Sequence, residues 1–121
     1  MVTSAPTDLA GERLVRKTPN HILPLDQSDQ DYIRAGLVAV EEAFGIPALP
    51  DLPVGLMPGR ALMRLLVDLR AELHPRTPEQ SVAWGRLAGA ILALDMAGDF
   101  ACQHSQAEAG RRALKRDELE D

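Results

Sequence analysis

Nine prolines punctuate this chain of 121 residues, and the last of them is Pro78. Proline fixes φ, lacks a backbone N–H and breaks helix interiors. Everything beyond Pro78 is therefore free to run as helix, while everything before it is cut into short pieces. The cuts fall at Pro6, Pro19 and Pro24, at Pro47, Pro50, Pro53 and Pro58, and at Pro75 and Pro78. Between these groups the hydrophobic pattern decides what forms.

The first long proline-free piece reads as a helix from Ser28 to Gly45. Ser28 is expected as the N-cap, with Asp29 and Asp31 in the first turn, where the helix dipole favours anions. Ile33, Leu37, Val40 and Phe44 recur as one apolar stripe. Gly45 and then Pro47 end it. The linker GIPALPDLPVGLMPG follows. Its first three prolines are spaced by three, which is compatible with polyproline II and with a ligand for an aromatic groove. The favoured reading is an ordered loop whose Ile46, Leu49, Leu52, Leu56 and Met57 cover the core.

A second helix is expected over 58–74, with a leucine seam of Leu62, Leu65, Leu66, Leu69 and Leu73. It stops before Pro75, because the residue preceding a proline avoids the α region. The third opens with TPEQ: Thr77 as N-cap, Pro78 at the first helical position and Gln80 completing a capping box. It is expected over 77–98, either ending there or bending and continuing toward Lys115. On a helical wheel Trp84, Leu87, Ile91 and Leu94 form a face of large residues, and Gly85, Gly89, Ala93 and Ala97 a second face of small ones.

The resulting fold class is all-α, a small helical bundle of three main helices (about 28–45, 58–74 and 77–98) with a C-terminal helical segment. Residues 1–27 form a short N-terminal arm, helical or extended. Residues 28–118 form a single helical domain, and 119–121 a frayed tail. A core of aliphatic residues suits this, since hydrophobic residues make up 45% of the chain and aromatic ones 3%. The net charge of −5 argues against a nucleic-acid partner, for which a concentrated basic face is expected. The one basic cluster, Arg111, Arg112, Lys115 and Arg116, is followed at once by Glu118, Glu120 and Asp121. The single Cys102 permits no internal disulfide, and with no signal-like or membrane-spanning apolar run this gives a cytoplasmic expectation.

Two features bear on function. The small-residue face invites close approach of another backbone, and the favoured occupant is a second copy across a two-fold axis. The expected function is thus a non-catalytic interaction module or accessory subunit, a homodimer joined through Gly85, Gly89, Ala93 and Ala97, with no cofactor and no metal. Asp95 shares the face of large residues. It is expected to be a buried polar contact answered by Arg70, Arg64, His74 or a second chain, because an unpaired buried carboxylate is costly; the alternative places it at the edge of a cleft, reaching water.

The alternative is catalytic. Asp68 and Glu72, then Asp95 and Asp99, are acidic pairs one turn apart on consecutive helices. Oxygen ligands so placed can hold Mg²⁺, and Mg²⁺ with bound phosphates permits in-line hydrolysis. The layout resembles the all-α nucleotide pyrophosphohydrolases of the MazG type, in which two neighbouring helices present acidic pairs to magnesium. That resemblance implies a Mg-dependent hydrolase of nucleotides or other phosphate compounds. Those families carry ExxE and then ExxD, whereas both pairs here are spaced i, i+4, so the motif departs from theirs. Cys102 and His104, two residues apart, point to opposite sides of a helix and form no nucleophile pair.

Overall fold

The computed structural model describes the backbone of residues 5–120 and the side chains of residues 11–101. Its order is α1 (Ala5–Lys17), α2 (Gln27–Phe44), a single 3₁₀ turn (Val54–Leu56), α3 (Gly59–Glu72) and α4 (Pro78–Glu120). Among the described residues there is no strand, only an isolated antiparallel bridge between Ile22 and Pro58. The all-α bundle holds. The N-terminal segment, open between two forms in the sequence, is a helix through Lys17, and Val15 anchors it in the core. Thr18 closes it: its hydroxyl donates to the Leu14 carbonyl at 2.6 Å, which explains a buried threonine.

The residues after α1 hold the start of α3. The first N–H groups of a helix have no partner inside it, and Pro58 offers no side-chain cap. The chain solves this with carbonyls from a distant segment. Gly59 N–H donates to the His21 carbonyl and Arg60 N–H to the Pro19 carbonyl, both at 2.8 Å. Leu23 is buried against Gly59, where an added Cβ would stand 2.9 Å from its side chain.

Helix α2 begins one residue earlier than expected, and its cap is Asp26 rather than Ser28. The Asp26 carboxylate accepts from Asp29 N–H at 2.8 Å. Ser28 lies inside the first turn, where it caps nothing. At the other end Gly45 takes φ 68°, as expected of a glycine past the last turn, and its N–H donates to the Glu41 carbonyl. The proline-rich loop is then folded back on α2 by one side chain. The Glu41 carboxylate accepts from Ala48 N–H at 2.8 Å and Leu49 N–H at 2.9 Å. Ile46, Leu49 and Met57 pack on the core as expected. Leu52 and Leu56 do not; they are exposed, and Ala48 and Val54 are buried instead.

Helix α4 is one continuous helix of 43 residues, so the expected third helix and C-terminal segment are a single element. Thr77 Oγ1 accepts from Gln80 N–H at 3.1 Å, as a capping residue should. The Gln80 side chain reaches Arg76 N–H at 2.8 Å and not Thr77, and it also donates to the Ala43 carbonyl at the end of α2. The core gathers Ile33, Leu37 and Val40 of α2, Leu62, Met63 and Leu66 of α3, and Leu87 and Leu94 of α4. Helix α4 packs along α2 and α3, and α1 lies over α3 and α4.

Candidate functional site

Two places on α4 could carry function: its outer face, and a cavity where it meets α1 and α3. Both follow from which side of α4 the core takes. The buried positions are Ala83, Leu87, Ala90 and Leu94, with Ala97 and Ala101 packed against the same cluster. These recur at alternating steps of four and three. Trp84 and Ile91, placed with the large face by the wheel, sit at its edge and are half-buried. The eye drawn to large residues passes over Ala83 and Ala90, although their heptad spacing was there to be read.

The small-residue face divides. Gly36 of α2 passes close to the Arg86 backbone, where a Cβ on the glycine would lie 3.6 Å from the Arg86 carbonyl oxygen. Tyr32 of α2 lies over Gly89, its hydroxyl occupying the space a Gly89 side chain would need. Ala93 and Ala97 are half-buried. Gly85 opens to empty space. Around it stand large apolar side chains in water: Val82 is 60% exposed, Leu92 58% and Met96 64%. At about 100° per residue, Val82, Gly85, Gly89, Leu92, Ala93 and Met96 fall within one arc of roughly 100°, and Ala97 turns from it toward the core.

Asp95 lies at the edge of the core and is half-buried, not enclosed as expected. Burial pushes its pKa above the ordinary aspartate value, Asp99 one turn on pushes the same way, and Lys17 at the end of α1 pulls it down. The cation whose charge reaches it is Lys17, without a salt bridge, and not Arg64, Arg70 or His74. Lys17 was missed because its approach depends on how α1 crosses α4, which no local pattern encodes. Arg70 is engaged elsewhere. Its guanidinium carbon lies 3.6 Å from the Trp84 ring centroid, and Trp84 Nε1–H donates to the Arg70 carbonyl at 3.0 Å. Burial lowers the Arg70 pKa, and its buried Nε–H has no acceptor.

The four carboxylates of the catalytic alternative are not brought together. Asp68, Glu72 and Asp99 are exposed. No three His, Cys, Asp or Glu among the described residues are placed to hold a metal ion. Cys102, His104 and the basic cluster Arg111, Arg112, Lys115 and Arg116 lie outside the residues whose side chains are described.

A cavity of about 430 Å³ opens between α1, α3 and α4. Leu14, Val15, Val67, Ala71, Ala88 and Ile91 give it an aliphatic wall, and Glu12, Arg64, Asp68 and Arg70 give it charge. Its shape depends on Gly11, where a Cβ would fall 2.8 Å from the Val67 side chain. The glycine thus lets α1 cross close to α3. No helix among the described residues is long and apolar enough to cross a membrane. No known protein family, curated protein or solved structure matches this chain.

Proposed function

We propose that this protein is a non-catalytic helical interaction module, and that it acts as a homodimer joined through the outer face of α4. The observation that carries the reading is the mixture of exposed large residues and glycine on one arc: Val82, Leu92 and Met96 with Gly85, beside Gly89 and Ala93. Large apolar side chains grouped in water mark a surface that another protein covers. A second copy is the occupant because the face is complementary to itself. In an antiparallel pair centred between Ala90 and Ile91, Met96 of each copy stands level with the open Gly85 of the other. Bulk then meets hollow twice across a two-fold axis, as an isologous interface requires. The lone Cys102 suits a reducing, cytoplasmic setting for such a module.

Light scattering on a size-exclusion column at micromolar concentration tests this. The expected mass is twice the 13.1 kDa of the chain. Met96→Glu and Leu92→Glu are expected to give monomers with unchanged helical circular dichroism, since both side chains are exposed in the single chain. A monomeric wild type would end the proposal.

A further inference from the structure

The apolar face of α4 does not end at Met96. Phe100 lies about five full turns beyond Val82, so it falls on the same line of the helix, and it is 69% exposed. One edge of that face borders α2. Gly36 brings α2 close to the Arg86 backbone, and the Gln80 side chain donates to the Ala43 carbonyl. The two helices therefore run antiparallel, with the second half of α2 level with residues 80–86 of α4. Along this edge α2 presents Ala35, Val38 and Ala39 beside Arg86, and their short side chains leave a groove of about 390 Å³ open to water. A dry cavity of ~150 Å³ already holds a benzene ring.

We propose that this groove receives Phe100 of a second copy. The inference rests on the homodimer reading above, and adds to it an aromatic anchor and a wall supplied by α2. A two-fold axis across an antiparallel pair sets each edge of a face against the same edge of the other copy. About the centre between Ala90 and Ile91, Phe100 of one copy stands level with Ser81 of the other, on the edge that α2 borders. There its ring meets Val38 and Ala39. Arg86 is exposed at the rim, where a guanidinium can lie against the ring face. An aromatic side chain seated in a hollow of its partner is the kind of residue that dominates binding energy. The contact is made twice, once in each direction.

Replacing Phe100 with p-benzoylphenylalanine in the full chain tests the placement. Irradiation is expected to give a covalent dimer whose joined peptide contains Val38 or Ala39. A link inside one chain cannot imitate this, because Phe100 lies roughly 20–30 Å along α4 from the level of the groove. Phe100→Ala is expected to raise the dimer dissociation constant about tenfold or more in analytical ultracentrifugation. Its helical circular dichroism should be unchanged, since the side chain is exposed in the single chain. A dimer linked only outside α2 overturns this inference and leaves the pairing through α4 standing, and so does a Phe100→Ala dimer as tight as the wild type. A monomeric wild type overturns both.

Discussion

Asp26 and Ser28 show how much a single side chain decides. Both are good N-cap residues two positions apart, and the fold uses Asp26. Asp26→Ala is therefore expected to cost about 1 kcal/mol in urea unfolding, while Ser28→Ala stays within about 0.5 kcal/mol. Two carboxylates give opposite pH signatures. The pKa of Glu41 is lowered by the Ala48 and Leu49 N–H groups. Its contribution to stability is complete above the unfolded-chain value and is lost as pH falls through the folded one. Glu41→Ala should lower the melting temperature at pH 7, with the difference shrinking below about pH 4. Asp95 has a raised pKa, chiefly from burial and then from Asp99, with Lys17 opposing. Its ionisation disfavours the fold, so the penalty is absent below the unfolded value and grows as pH rises through the folded one. Asp95→Asn should raise the melting temperature at pH 7 and change nothing at about pH 3.

Elements were legible wherever one local signal sufficed. The stop at Gly45, the cap at Thr77 and the apolar stripe Ile33–Leu37–Val40 needed no knowledge of the rest of the chain. The start of α3 was different, because its N–H groups are satisfied by carbonyls of Pro19 and His21, far away in sequence. The outer face of α4 was half legible: Gly85 and Gly89 stood out, but only the packing shows that Tyr32 takes the space over Gly89 while Gly85 faces open space. The cavity was not legible, since it arises from how three helices cross. Gly85→Ala separates the two roles of that glycine. In a single chain the alanine should stabilise α4 by roughly 0.5–1 kcal/mol, because an exposed helical glycine carries that penalty. In the proposed pair its methyl would stand against Met96 of the second copy. The substitution should therefore raise the melting temperature at low concentration and weaken association measured by analytical ultracentrifugation.

For the molecule as a whole, one aliphatic core joins all four helices. A domain of this size has only about 5–15 kcal/mol of net stability. Leu87, fully buried at the centre of α4, touches that limit: Leu87→Ala should cost about 2–5 kcal/mol. Thermal unfolding followed by circular dichroism should show one earlier transition across the helices, because among the described residues no helix has a separate core to retain. The length of α4 also sets how the molecule moves through solvent. At 1.5 Å per residue, its 43 residues extend about 64 Å, against about 27 Å for the 18 of α2. A 13.1 kDa chain carrying such a rod has more frictional drag than a sphere of equal mass. Even a monomer would elute ahead of globular standards, and its rotational diffusion would be slower about the two axes across α4 than about the axis along it.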